Sequence, residues 1–204
     1  MQRKIMSGDE AVARGAWEAG VSVAAAYPGT PSTEILENMA LYKDDVYATW
    51  ANNEKIATEI ALGASIGGLR AFAAMKHVGM NVAGDPIFSA AYTGVNGGMV
   101  VVSCDDPGCH SSQNEQDNRW YAPHARLAML EPSDSQECKD FMKEAFQISE
   151  DFDLLTLLRL TTRVCHSKSL VEQNERIMPP AKSYQSDFAK YTMLPVNARR
   201  RHVI

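Results

Sequence analysis

The sequence contains no Cys-x-x-Cys pair, no His-x-x-x-His, and neither a Walker loop nor a Gly-x-Gly-x-x-Gly turn. The commonest paired metal-ligand spacings and the usual phosphate-cradling loops are therefore missing. Its four cysteines, Cys104, Cys109, Cys138 and Cys165, are too few and too scattered for a disulfide scaffold. No apolar run approaches the ~18 residues of a membrane span. The start, Met1-Gln2-Arg3-Lys4-Ile5-Met6, has charge but no apolar stretch behind it, so a secretory signal is not expected. Basic residues do not cluster before Arg199-Arg200-Arg201, and 20 Lys+Arg against 25 Asp+Glu give a net charge of −5. That balance argues against a nucleic-acid surface. A cytoplasmic protein is the expectation. What is present suits one α/β domain with a real core: 45% hydrophobic and 22% charged residues over 204 positions.

Ser7-Gly8-Asp9-Glu10 is a capping-box pattern that opens a helix, and Gly20 supplies its stop. A small-residue strand over 21–27 runs into the turn Pro28-Gly29-Thr30-Pro31-Ser32, and a helix follows over 34–41. The next strand covers 46–50. Asn52-Asn53 then caps a long helix over 54–67, with Ile56, Ile60 and Leu62 expected on its inner side. A third strand covers 70–75, followed by a helix over 81–92. The unbroken apolar run 99–103 reads as a buried parallel strand. The polar loop behind it, 105–118, is long for a compact domain and is marked as functional. Strands over 127–130 and 154–160 flank a helix opened by Pro132-Ser133-Asp134. Strands and helices alternating in this way predict a doubly wound, mostly parallel six-stranded sheet with helices on both faces. After residue 170 the pattern fails. Residues 1–170 read as the domain, and 171–204, with Pro179-Pro180 and Pro195, as an extended linker toward something further. Val203-Ile204 carry no stop signal.

In an open α/β sheet, ligands sit beyond the carboxyl ends of the strands. Four polar loops fall there: 27–32, 52–54, 76–81 and 105–117. For most of their residues an ordinary role as cap or turn suffices. Glu54 stands apart, because it opens a helix whose next residues are small or apolar. The helix N-terminus favours its ionised form, and an apolar ligand covering it would favour the protonated one. Such a carboxyl suits acid–base work. Lys76, His77, Asp106 and His110 would suit a metal or hydrolase site in composition, but their spacing does not support one. Cys104-x4-Cys109-His110 lacks further ligands, so no metal is expected on this chain.

Four stretches carry a resemblance. They are 25–34 (Ala-Ala-Tyr-Pro-Gly-Thr-Pro-Ser-Thr-Glu), Asn53-Glu54-Lys55, 75–81 (Met-Lys-His-Val-Gly-Met-Asn), and Asp105-Asp106-Pro107-Gly108 with the run from His110 to Asp117. Together they resemble the pyrimidine-binding (Pyr) domain of the thiamine-diphosphate-dependent 2-oxoacid:ferredoxin oxidoreductases, in the α subunit of the indolepyruvate-oxidising branch. The resemblance runs from about Ser7 to His202.

It implies that Glu54 hydrogen-bonds N1′ of the cofactor's aminopyrimidine and moves a proton there. Thiamine diphosphate then supplies the carbon that attacks the keto group of an aryl pyruvate. Carbon dioxide leaves, iron–sulfur clusters take the electrons toward ferredoxin, and coenzyme A accepts the acyl group. Thr30 would face the substrate carboxylate or the reacting centre. Tyr27, Pro28, Gly29, Lys76, His77, Asn81, His110, Gln113 and Asn114 would lie near cofactor, substrate or domain boundary. The diphosphate-binding Gly-Asp-Gly…Asn pattern is missing, with only Gly84-Asp85-Pro86 and Gly8-Asp9-Glu10 approximating it. Clustered cysteines are missing too. The resemblance therefore assigns Mg²⁺, the diphosphate and the clusters to other parts of the subunit, makes a β subunit a partner, and leaves this piece inactive alone. A homodimer through Pyr–Pyr contacts is expected, with Met80, Val82 and Ile87 uncovered at the rim. The competing reading is a non-catalytic small-ligand or nucleotide-binding module, which the architecture also hosts.

Overall fold

The computed structural model describes residues 2–180 and 182–202, so Met1 and the Val203-Ile204 end lie outside it. Strand β1 (Gln2–Ser7) leads into helix α1 (Gly8–Glu18), where the expected capping box forms between Ser7 and Glu10. Then follow β2 (Val23–Ala26), α2 (Thr33–Met39), β3 (Tyr47–Trp50), α3 (Glu54–Ile66), β4 (Ala71–Lys76), α4 (His77–Val82) and α5 (Gly84–Thr93). After them come β5 (Met99–Asp105), α6 (Tyr121–Ala125), β6 (Ala128–Leu130), α7 (Ser135–Asp151), β7 (Thr156–Thr161) and α8 (Thr162–His166). The chain finishes with β8 (Lys168–Gln173), α9 (Phe188–Tyr191) and α10 (Pro195–Arg201).

Six strands form one parallel sheet in the order β3-β2-β4-β5-β7-β6. These are the six strands read from the sequence. Because the sheet is covered on both faces, successive side chains of β4 and β5 feed two separate cores. Phe72, Ala74, Val100, Val102 and Cys104 face α1, α2 and α7. Ala73, Met75, Met99 and Val101 face α3, α4 and α5. Strand order reverses direction at β2, whose neighbours are β3 on one side and β4 on the other. That switch opens a crevice beyond the ends of β2 and β4.

Five points differ from the sequence reading. The antiparallel pair β1–β8 was not legible, since charged Arg3 and Lys4 sit opposite Glu172 and Val171 in a two-stranded ribbon outside the main sheet. The helix expected over 81–92 is two helices, and the first begins at His77. On α3 the fully buried side is Ala57, Thr58, Ala61 and Ser65; Ile60 and Leu62 pack against the core at its margin as expected, whereas Ile56 is 37% exposed. The strands beneath offer Ala25 and Ala73, and only small helix residues allow the backbones to approach that closely. Met80 and Ile87 are fully buried, and only Val82 is exposed as expected. The helix expected over 34–41 ends at Met39, with a tighter turn over Ala40–Tyr42.

The segment after residue 170 runs along the amino ends of the strands. Ile177 N–H donates to Glu18 O (2.9 Å) and Arg176 donates to Val21 O (2.8 Å) while pairing with Asp45 (3.0 Å). Lys182 reaches Asn96 O (2.9 Å), and Lys190 and Arg201 both pair with Asp153, at 2.7 and 3.0 Å. The segment is thus stitched below β3, β2, β4, β5 and β7 in turn. Its first residues complete β8, so that strand crosses the boundary drawn at residue 170.

Helices α1 and α7 cross at Gly15, where a Cβ would fall 2.4 Å from Lys139 O. On α3, a Cβ at exposed Gly63 would meet nothing within 4 Å. Gly15→Ala should therefore destabilise the protein by about 1–3 kcal/mol through overpacking. Gly63→Ala should stabilise it by up to about 1 kcal/mol through helix propensity. Urea denaturation of both variants checks the contrast, and a stabilised Gly15→Ala would refute the tight crossing.

Candidate functional site

Glu54 is the first residue of α3, where the Asn53 side chain accepts a hydrogen bond from Ile56 N–H (2.9 Å). Only 8% of Glu54 is exposed. Its side chain lies across the first turn of α4: a Cβ at residue 79 would sit 2.6 Å from Glu54 Cγ and 2.7 Å from Oε1. Gly79 is therefore what leaves room for the carboxyl, and it explains a glycine inside a six-residue helix. Nothing in the local sequence signals that pairing.

The turn after β2 meets the end of β4 at the switch point. A Cβ at Gly29 would lie 3.0 Å from Lys76 Cδ, so the lysine stem runs along the turn. Lys76 Nζ then donates to Ser111 O in the long loop (2.9 Å). Thr33 accepts from Gly29 N–H (2.9 Å), which fixes the turn to the start of α2. Tyr27, Pro28 and Thr30 are exposed on this rim.

The long loop after β5 folds back over α4. His77, fully buried, has Nε2 3.0 Å from Asn114 O, while its Nδ1 has no partner. Gln116 and Asn118 both donate to His77 O, at 2.9 and 3.0 Å. Asn81 exchanges hydrogen bonds with Gln116 and accepts one from Tyr121 OH (2.7 Å). Asn118 also donates to Ser103 Oγ (2.8 Å), and its backbone N–H to Asp105 (3.0 Å), which Arg159 holds from β7 (3.0 Å). His110, Gln113 and Asn114 lie exposed on the loop. The structure thus gathers Gly29, Lys76, His77, Asn81 and the loop into one rim, with Glu54 beside it at the start of α3 and packed against α4. It also adds Asn118 and Arg159, which the sequence did not single out, and gives Asp105, read there only as part of a motif, its partners. Their roles join residues dozens of positions apart.

Asp106 anchors the loop. Burial alone would raise its carboxyl, but Ser111 N–H (2.7 Å), Ser112 OH (2.7 Å) and Thr162 OH (2.9 Å) outweigh it and hold the pKa to about 2. Hydrogen bonds to the charged form have this effect. Gly63-Ala64-Ser65-Ile66-Gly67 matches the nucleophile-elbow spacing, yet it lies within α3 and its end, where Ser65 donates to Gly97 O. No elbow forms there. A hollow of about 560 Å³ between α5 and α10, lined by Phe88, Tyr92 and His202, contains none of the rim residues. The hollow at the rim itself, about 320 Å³, is lined by Asn81, Gln116, Asn118, Tyr121 and His124 and is open to solvent.

Residues 14–200 match the model of the family described as pyruvate flavodoxin/ferredoxin oxidoreductase, thiamine diphosphate-binding. The chain belongs to this family. Among its relatives, the indolepyruvate oxidoreductase subunit IorA of Archaeoglobus fulgidus is 47% identical over 98% of the chain and 33% of that protein. The subunit of the same name from Methanothermobacter thermautotrophicus is 49% identical over 96% of the chain and 32% of its own length. The 2-oxoglutarate synthase subunit KorA of the latter organism is 32% identical over 84% of the chain. The chain spans about a third of the length of the IorA relatives. In fold it is similar to a 2-oxoglutarate:ferredoxin oxidoreductase from Magnetococcus marinus, with a TM-score of 0.77 at 21% identity over 85% of the chain and 32% of that structure. No helix among the described residues is long and apolar enough to cross a membrane.

The thiamine diphosphate that the family description names can be tested against the rim. A buried carboxyl cradled at residue 79, at a helix start beside the switch point, fits the ring end of such a cofactor. The Gly-Asp-Gly…Asn pattern for its diphosphate end does not occur in the sequence.

The Asp106 anchor has a pH signature. A carboxyl at about 2 in the fold and about 3.9 unfolded gives stability that is complete above about pH 5 and lost as pH falls through 4 toward 2. Asp106→Asn should remove that acid-limb loss relative to the wild type. Denaturation midpoints measured from pH 6 down to 2 check this, and parallel curves for both proteins would contradict it.

Proposed function

We propose that this chain is the pyrimidine-binding part of an oxidoreductase that oxidatively decarboxylates aryl pyruvates such as indolepyruvate to acyl-CoA, with ferredoxin as electron acceptor. The observation that carries the reading is Glu54, buried at the start of α3 and seated over Gly79 beside the switch point. The 44–49% identity to six IorA relatives supports the substrate class. Residues 1–170 would form the Pyr unit, and 171–204 would lead toward a diphosphate-binding domain of the same subunit that holds Mg²⁺. Iron–sulfur clusters would lie elsewhere in the subunit. The β subunit, ferredoxin, coenzyme A and a second copy of this chain are the remaining proposed partners, and the compartment is the cytoplasm.

Bound thiamine diphosphate supplies the nucleophilic carbon and the electron sink for decarboxylation. Glu54 would hold a proton at the ring nitrogen N1′, in a site where α3 and α4 exclude water. The turn of Tyr27, Pro28, Gly29 and Thr30 would border the substrate, with Thr30 nearest its carboxylate. Lys76 and His77 would keep that turn and the loop with His110, Gln113 and Asn114 at a fixed spacing, and Asn81 would close the rim through Gln116.

In the complete enzyme, Glu54→Gln keeps the size of the side chain and removes its proton transfer. Turnover should drop by roughly 10²–10⁴-fold. Steady-state kinetics of the purified complex tests this, and near-normal turnover would remove Glu54 from the chemistry. The chain alone should bind thiamine diphosphate weakly, since it would grip only the ring. Calorimetric titration with Mg²⁺ present checks this, and tight Mg²⁺-dependent binding would overturn the proposed division between domains.

A further inference from the structure

On the sheet face opposite Glu54, three helix ends converge below the turn that follows β2. Asp9 comes from the first turn of α1, Glu34 from the first turn of α2, and His166 from the last position of α8. One ligating atom of each lies within 4.8 Å of the other two. Asp9 is fully buried, and neither of its carboxylate oxygens has a hydrogen-bond partner. Glu34 Oε2 is likewise buried and without one. The Cys165 thiol, a weak donor, lies beside Asp9 and favours its ionised form, but burial outweighs that contribution.

A buried Asp9 carboxyl with no donor stronger than a thiol, next to a Glu34 oxygen buried without a partner, is costly to keep anionic unless a cation joins them. We propose that Asp9, Glu34 and His166 form a site for a divalent first-row transition metal, of which Zn²⁺ is the representative. Two carboxylate charges and a neutral imidazole balance a 2+ ion, and oxygen–oxygen–nitrogen sets are a familiar zinc environment. Asp9 also lies within 4.8 Å of the Cys104 and Cys165 sulfurs. A thiolate set there would place three anionic ligands around the ion and leave a net buried charge of about −1, which burial disfavours. The outer set has an entry path as well, because His166 is exposed. The ion would clamp α1, α2 and α8 together. Since Thr33 of α2 accepts from Gly29 N–H, the clamp would brace the 27–32 turn from beneath. This site is independent of the cofactor-side reading, and its test needs no catalysis.

The experiment is calorimetric titration of chelator-treated protein with Zn²⁺, repeated for Asp9→Asn and His166→Ala. One ion per chain is expected, with affinity lowered at least about tenfold in each variant. His166 is exposed, so its variant keeps the measurement interpretable if Asp9→Asn folds poorly. Absence of binding by the wild type, or equal binding by the folded His166→Ala variant, would overturn the site in favour of a proton shared between the two carboxyls. Substitution with Co²⁺ reads the donor set directly. A spectrum without a sulfur-to-cobalt charge-transfer band supports the oxygen and nitrogen ligands. A strong band would move the ion onto Cys104 and Cys165 and overturn the assignment.

Discussion

One side-chain amide holds the rim in shape. Asn118 donates to the backbone carbonyl of His77 and to the Ser103 hydroxyl, clipping the end of β4 to β5. Asp105 holds the Asn118 backbone N–H and is itself held by Arg159 from β7. Each of these groups is buried, so each would be costly to leave unpaired, and together they admit one arrangement. Everything above them inherits that order. Gln116, Asn114 and Ser111 meet α4 and Lys76 only because the loop returns to the sheet at Asn118. Removing the clip would therefore loosen the part of the loop that meets α4, leaving Asp106 to hold the stretch at Ser111 and Ser112.

The two faces of the sheet use this order differently. On the α3 side, alanines at 57, 61, 25 and 73 let backbone approach backbone, and the carboxyl of Glu54 comes to rest on a residue that has no side chain. On the α1 side the core is bulkier, with Phe72, Phe146, Met39 and Met142, and its polar groups are pushed to the helix ends. The Asp9 carboxyl illustrates the result. Burial, which outweighs every other influence on it, pushes its pKa up to about 8. A group so placed demands either a proton or an ion.

The central strands were legible because each is buried on both faces and reads as an unbroken apolar run. The caps at Ser7, Asn53 and Asp134 were legible because side chain and target amide are three residues apart. The ribbon β1–β8 was not, because its partners are about 165 positions apart and its outward residues are charged. The start of α4 was hidden by Gly79, which looks like a breaker until Glu54 is seen against it. Of the rim, motif resemblance reached Thr30, Glu54 and the loop. It reached Asp105 only as part of a motif, and it did not reach Asn118 or Arg159, its partners across 13 and 54 residues.

The course of the final segment sets how the domain carries a mechanical load. From Arg176 to Arg201 it is fastened beneath the strands at Val21, Asp45, Asn96 and Asp153, always at their amino ends. Tension on its far end would be spread sideways across several strands as shear, and the hydrogen bonds of the sheet resist shear collectively. The opposite rim, with Glu54 and the turn after β2, lies off that line of force. A load on this segment therefore leaves the spacing between Glu54, Gly79 and Lys76 as it is.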